Sequence, residues 1–299
     1  MARLAGVYAA LLTPRYSDGA LYLDSYRHQL AALNDDGLTG YAINGATGEF
    51  TISSEEELEQ LLAVTRHAAS GAEILCGIGA GSVDGAVRRG RLAAAAGAKG
   101  VLLPMPCFFP YRQDDLRSSA LEVATKIEIP VLLYNLPQFT SGLEVETVLS
   151  LLREHDNIVG IKDSSGSLDI VRAITQAGLS SARLIGNDSA LCQALIEGVC
   201  DGVVSGVACT LPELMTSLFV TGGKGTAFLE SKDLLDEFIE QLNGLPTPWG
   251  LKVTSAVREF TQESFPIPLS PERNEEVVRL RAWFTNWYQS TLSRKTETV

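Results

Sequence analysis

The chain is short of positive charge, of histidine and of long apolar runs. Its 299 residues hold 24 lysines and arginines against 36 aspartates and glutamates, a formal net charge of −12. That balance leaves no basic footprint for nucleic acid or for an anionic membrane surface. It leaves room for an anionic small molecule, because a few groups set the local field of a site. The three histidines, His28, His67 and His155, fall in helical stretches or in a helix-to-strand connector. None closes a strand, which argues against a histidine metal centre or a Ser-His-Asp triad. Five cysteines (Cys76, Cys107, Cys192, Cys200 and Cys209) are an odd number without a C-x-x-C pair. They suit reduced thiols in a cytoplasm, acting as small core residues, better than a disulfide framework or a zinc site. No stretch approaches the ~18 apolar residues of a membrane span. The apolar run near the N-terminus stops at Thr13-Pro14 and reads as a first strand, not a signal peptide. Low-complexity segments and linkers are also missing.

What is present is a rhythm. Short apolar segments marked by glycine recur at 6–12, 40–43, 73–77, 100–103, 131–134, 158–162, 183–186 and 202–205. Stretches with helical spacing lie between them, at 23–36, 54–69, 83–96, 114–127, 144–154, 168–177 and 190–197. Glycine closes several of these, and either Ser53-x-x-Glu56 or Ser54-x-x-Glu57 can form a capping box. Strands alternating with helices mean parallel pairing and right-handed crossovers. Eight such units in roughly 200 residues predict an α/β fold, a (β/α)8 TIM barrel. A further helix at 211–220, led by Leu211-Pro212, follows the eighth strand. Three more helical stretches, 225–242, 249–260 and 272–292, are joined in part by the extended connector from Phe265 to Pro271. The expected organisation is a barrel over residues 1–220 and a C-terminal helical extension, 221–299, packed on it.

In such barrels the chemistry sits at the C-terminal ends of the strands. Lys162 is the only lysine at any of the eight ends. Strand alternation places Ile158, Gly160 and Lys162 on one face and Val159 and Ile161 on the other. A lysine that closes a strand can simply reach solvent. One pointing into a closed interior is pushed towards the neutral amine, a nucleophile able to form a Schiff base with a ketone. Tyr134 closes the neighbouring strand and shares a face with Leu132. Alone it suits core packing; beside a nucleophilic lysine, a phenol can act as general acid and base. The Gly45–Glu49 loop offers backbone N–H groups and the Thr47 hydroxyl just before a helix, which suits a carboxylate or an ordinary glycine turn. The run Gly77-x-Gly79-x-Gly81 is one residue short of a dinucleotide fingerprint, and no acidic residue closes the next strand.

Three motifs carry a resemblance. Gly45-Ala46-Thr47-Gly48-Glu49, Tyr134-Asn135-Leu136-Pro137 and Gly160-Ile161-Lys162-Asp163 occur in that order. Together the sequence resembles the pyruvate-dependent class I aldolase family of dihydrodipicolinate synthase and N-acetylneuraminate lyase, over nearly its whole length. The resemblance implies that Lys162 forms a Schiff base with a 2-oxo acid and that Tyr134 shuttles protons. It implies that Thr47, with the N–H groups of Ala46 and Thr47, holds the pyruvate carboxylate, and that Gly186 and Val204 lie against bound pyruvate. It further implies a cytoplasmic homo-oligomer, a tetramer or a dimer, with no metal and no organic cofactor.

The sequence departs from dihydrodipicolinate synthases at three places. Ala46 stands where they carry threonine, Cys107-Phe108-Phe109 where they carry a tyrosine, and Phe139 where they carry an arginine for the aldehyde's carboxylate. Two hydroxyls of a proton relay are absent, and phenylalanine cannot pair with a carboxylate. The segment from Pro106 to Pro110, Lys162-Asp163-Ser164-Ser165 and Pro266-Ile267-Pro268 look more like the 2-keto-3-deoxygluconate aldolase branch. The expectation is reversible cleavage of a 2-keto-3-deoxy sugar acid, or a related 4-hydroxy-2-oxo acid, to pyruvate and an aldehyde. The alternatives are a dihydrodipicolinate synthase with a degenerate relay, a Schiff-base sugar-acid dehydratase and a non-catalytic 2-oxo acid sensor.

Overall fold

The structure is a computed structural model and describes residues 4–34 and 37–291. Eight strands pair in parallel in chain order and the eighth closes on the first. They are β1 (Gly6–Ala10), β2 (Gly40–Ile43), β3 (Glu73–Gly77), β4 (Gly100–Pro104), β5 (Val131–Asn135), β6 (Ile158–Asp163), β7 (Ala182–Ile185) and β8 (Gly202–Ser205). Between them run α1 (Leu23–Ala32), α2 (Glu55–Ala68), α3 (Val83–Ala95), α4 (Gln113–Lys126), α5 (Val145–Glu154), α6 (Asp169–Gln176) and α7 (Asp188–Glu197), and α8 (Pro212–Thr221) follows β8. The expected (β/α)8 TIM barrel is present.

Each strand is buried on both faces, so two apolar layers form. Side chains such as Tyr8, Ala42, Leu75, Leu102, Leu132, Leu184 and Val204 fill the barrel interior. The alternate residues, among them Val7, Ile43, Ile74, Val101, Leu133, Ile161 and Val203, meet the helices outside. This is why the strands read as continuous apolar runs.

Element ends explain themselves locally. Of the two capping boxes open in the sequence, Ser54–Glu57 forms: Glu57 N–H donates to Ser54 Oγ at 3.1 Å and Ser54 N–H to the Glu57 carboxylate at 3.1 Å. β1 stops at Ala10, not at residue 12, because the Gln29 side chain takes over the backbone of Leu12, accepting from its N–H and donating to its carbonyl. β7 begins and ends one residue earlier than expected, so Gly186 lies just past the strand. The helix expected at 23–36 ends at Ala32, and its last two residues, Asp35 and Asp36, lie outside the described residues.

One face assignment is corrected. Ile158 packs with the outer layer and Val159 against the inner one. The β5–β6 ladder slips there: Val131 pairs with Ile158 and Leu132 with Gly160, so Val159 is passed over. Beyond the slip the alternation holds, and Tyr134 pairs with Lys162.

The C-terminal helices are α9 (Thr226–Leu242), α10 (Trp249–Val257) and α11 (Pro271–Thr291). The helix expected at 249–260 ends early because Glu259 takes a left-handed backbone (φ 58°), and the last expected residue of α11, Leu292, lies outside the described residues. α11 seats Phe284 and Trp287 against Phe238 of α9, and Trp287 Nε1 donates to Glu237 at 2.8 Å. Val253 of α10 is buried with Val277 and Leu280 of α11. The segment joining α9 to α10 is thereby brought over the C-terminal mouth of the barrel.

Candidate active site

Lys162 and Tyr134 are opposite one another at the ends of β6 and β5. Both are buried, at 3% and 2% exposure, and the Lys162 Nζ lies 4.1 Å from the centroid of the Tyr134 ring. One residue further along, on the outward face, Asn135 and Asp163 are also register partners. Asn135 Nδ2 donates to Asp163 Oδ1 at 3.0 Å, and the same oxygen accepts from the Ser165 N–H at 2.9 Å. Asn135 Oδ1 accepts in turn from the Leu143 N–H at 3.0 Å. Burial pushes the Asp163 carboxyl above the usual carboxylate range against these hydrogen bonds.

A cavity of about 440 Å³ opens above the pair. Its wall includes Ala46, Thr47, Tyr134, Lys162, Gly186 and Val204, so the structure brings all six sequence-predicted site residues together. Gly186 has a steric reason. A Cβ there would collide with Ser164 Oγ and sit 2.6 Å from Lys162 Cε. Only a glycine lets β7 pass this close to the lysine's stem.

The loop after β2 is bent at both ends by non-glycine residues in the left-handed region, Asn44 (φ 53°) and Glu49 (φ 54°). Turn hydrogen bonds from Glu49 N–H to Ala46 O and from Phe50 N–H to Gly45 O close it. Asn44 Nδ2 anchors its start on the Gly77 carbonyl at 2.7 Å. Among the described residues, the N–H groups of Ala46 and Thr47 and the Thr47 hydroxyl have no intrachain partner, which leaves three donors at the cavity wall.

Another part of the wall is polar in a way the motifs did not single out. Asp188 begins α7, and its Oδ2 accepts from the Val207 N–H at 3.1 Å. Its Oδ1 is out of solvent and unpartnered, although part of the residue is accessible. Burial pushes the Asp188 carboxyl up, against the opposing pull of Ser205, the Val207 N–H and Lys162. Ser164 Oγ is likewise buried without a partner. Gln138 and Asn187 complete this side. The sequence signal available for Asp188 was its place: an acidic residue at the end of a barrel strand.

Lys162 is the only lysine, arginine or histidine among the cavity-lining residues described. Phe139 stands at the rim, 61% exposed. Ala46 lines the cavity, but Cys107, Phe108 and Phe109 do not; Phe108 is 90% exposed with a left-handed backbone (φ 79°). Packing explains two glycines of the Gly77–Gly81 run, since a Cβ at Gly77 would collide with the Asn44 carbonyl and one at Gly79 with the Phe50 ring, while Gly81 faces open space. Among the described residues no group of three His, Cys, Asp or Glu side chains could hold a metal ion, and no helix is long and apolar enough to cross a membrane.

Comparison with known proteins decides the family. The profile of the dihydrodipicolinate synthetase family matches residues 3–286. The chain belongs to this family of pyruvate-dependent aldolases. It is 31% identical over 287 residues to a 4-hydroxy-tetrahydrodipicolinate synthase of Methanothrix thermoacetophila, covering 92% of this chain and 94% of that one. Its fold superposes on the 4-hydroxy-tetrahydrodipicolinate synthase of Methylacidiphilum fumariolicum SolV with a TM-score of 0.87 at 26% identity, covering 97% and 98% of the two chains. At the level of fold alone it also matches N-acetylneuraminate lyase of Mycoplasma synoviae, with a TM-score of 0.83 at 19% identity over 95% and 98%. Like other members of the dihydrodipicolinate synthetase family, the protein is a carbon–carbon lyase that acts on pyruvate.

Proposed function

We propose that this family member reversibly cleaves a 2-keto-3-deoxy sugar acid, or a related 4-hydroxy-2-oxo acid, to pyruvate and a hydroxylated aldehyde. The observation that carries this reading is the cavity's charge pattern: Lys162 is the single cation among its described lining residues, and Asp188 is its carboxylate. Lys162 is consumed when the Schiff base forms. An aldehyde bearing its own carboxylate then finds no second cation to pair with, only Asp188 and the exposed rim residue Phe139. A hydroxylated aldehyde instead meets a polar wall that carries no second cation, made by Gln138, Ser164, Asn187 and Ser189 beside Asp188.

In this reading the Lys162 amine adds to the keto carbon and water leaves, giving the protonated imine, whose positive nitrogen is the electron sink. The three donors at Ala46 and Thr47 hold the 2-oxo acid's carboxylate, while Gly186 and Val204 flank the three-carbon unit. Tyr134 removes the proton of the C4 hydroxyl as the C3–C4 bond breaks, and the bond's electrons pass into the enamine. Protonation at C3 and hydrolysis then release pyruvate and free the lysine. With Ala46 and Phe108 in place of hydroxyl-bearing residues, the proton route runs through Tyr134, water and the substrate's own carboxylate. A cytoplasmic homo-oligomer, and a division into barrel (1–220) and extension (221–299), belong to the same proposal.

Borohydride trapping with pyruvate tests the chemistry. The expected result is a pyruvyl adduct by mass spectrometry that disappears in Lys162→Ala; an undiminished adduct in that variant sinks the assignment. A second reading, condensation of pyruvate with aspartate semialdehyde, is favoured by the names of the relatives. A panel of aldehydes assayed with pyruvate separates the two, and efficient turnover of the semialdehyde would reverse the preference.

A further inference from the structure

Lys252 is a buried lysine that the chemistry above does not use. It sits in α10, 2% exposed, with its Nζ 2.6 Å from Glu49 Oε2 and 2.6 Å from the Ser264 carbonyl. Glu49 is the last residue of the loop that carries the three free donors, and it holds the left-handed backbone on which the loop's closure depends. Its side chain is 9% exposed and its partner there is Lys252.

We propose that Lys252 and Glu49 are positioning residues: the ion pair fixes the donor loop of Ala46 and Thr47 in the geometry that accepts the 2-oxo acid's carboxylate. The inference rests on the carboxylate placement proposed above. It also gives the helical extension a part in substrate recognition.

Three observations support a positioning role over an electrostatic one. First, the pair is self-neutralising, and Arg15, a further cation whose charge acts on Lys252, is already held by Glu57 at 2.6 and 2.9 Å, so little net field reaches the cavity. Second, the loop is fixed at its start by Asn44 and at its end by Glu49, the two residues whose backbones other side chains would not favour. Third, burial works against the Lys252 ammonium, lowering its proton affinity despite Glu49. A buried pair of this kind is a poor device for stability alone, since well-packed apolar residues serve as well. Its presence at this place is accounted for by the loop end that Glu49 holds.

The test compares Lys252→Met, the double variant Glu49→Gln/Lys252→Met and Thr47→Val as a control. Readouts are the half-saturating pyruvate concentration for borohydride trapping, the trapping rate at saturation, and the thermal midpoint. Lys252→Met is expected to raise the half-saturating concentration about tenfold and to leave the saturated rate within about twofold, as for lost ground-state orientation. The double variant strands no charge, so it is expected to recover the thermal midpoint while keeping the raised half-saturation. If half-saturation returns to the wild-type value in the double variant, or the midpoint falls with half-saturation unmoved, the pair is structural only and the inference fails. Should Lys252→Met not fold, the double variant decides alone. An unchanged half-saturation in Thr47→Val rejects the carboxylate placement itself, and the inference with it. A raised value there beside a normal one in the Lys252 variants rejects only the positioning role.

Discussion

Asn135 Nδ2 and Asp163 Oδ1 are 3.0 Å apart, one residue beyond Tyr134 and Lys162 on the adjacent strands. The polar pair faces outward and the catalytic candidates face inward, so this hydrogen bond ties the two strand ends together directly beyond the ladder pair Tyr134–Lys162. This gives a physical reason for asparagine after the tyrosine and an acid after the lysine. Both are buried, and neither reaches the reacting atoms.

Asn135→Ala removes a donor from Asp163 and an acceptor from the Leu143 N–H, leaving buried groups unpaired. The expected cost is about 2–4 kcal/mol in urea unfolding. A lower saturated rate of pyruvate trapping is expected as Tyr134 and Lys162 lose register. Wild-type stability in this variant would remove the bond from the account of the site.

Gly186→Ala puts a methyl group where Lys162 Cε and Ser164 Oγ now lie. The lysine stem must move, and displacement of a nucleophile by about 1 Å costs on the order of 10²-fold in rate. Circular dichroism is expected to stay native while pyruvate trapping collapses. Trapping within about threefold of wild type would show that the lysine can step aside.

The barrel was legible because both faces of every strand are buried and glycine punctuates the helices, which makes the repeat visible without any partner information. The grouping of Lys162, Tyr134 and the Gly45–Glu49 loop at one cavity was legible because motifs place them at strand ends. Contacts between distant parts of the chain were not. The slip that turns Val159 inward depends on how β6 meets β5, and alternation within one strand cannot show it. β1 ends early because of Gln29, a side chain on the following helix. Lys252 looks like any helix lysine until the fold brings it to a glutamate 203 residues away.

Phe139→Arg offers a guanidinium at the rim of a cavity whose only described lining cation is Lys162. If a missing cation is what excludes carboxylated aldehydes, this variant is expected to raise kcat/KM for aspartate semialdehyde by about 10- to 100-fold, one charge-assisted bidentate pair. The half-saturating pyruvate concentration is expected to stay put. No gain for the semialdehyde would mean that shape, and not charge, sets the preference.

Asp188→Asn separates substrate contact from stability through pH. Burial raises the folded-state affinity of Asp188 for its proton. A group of this kind contributes stability that is fully present below its unfolded pKa, about 3.9, and is lost as pH rises through the higher folded value. Asparagine does not titrate. The variant's stability relative to wild type should therefore rise with pH from about 4 and level off above the folded pKa, read as the difference in urea midpoint between pH 4 and pH 8. Activity should move the other way: with an amide in place of the carboxylate at the cavity wall, kcat/KM for a hydroxylated substrate is expected to fall at every pH by about tenfold or more. A midpoint difference that is flat across this range would contradict the raised affinity. Unaltered activity would remove Asp188 from the substrate's path.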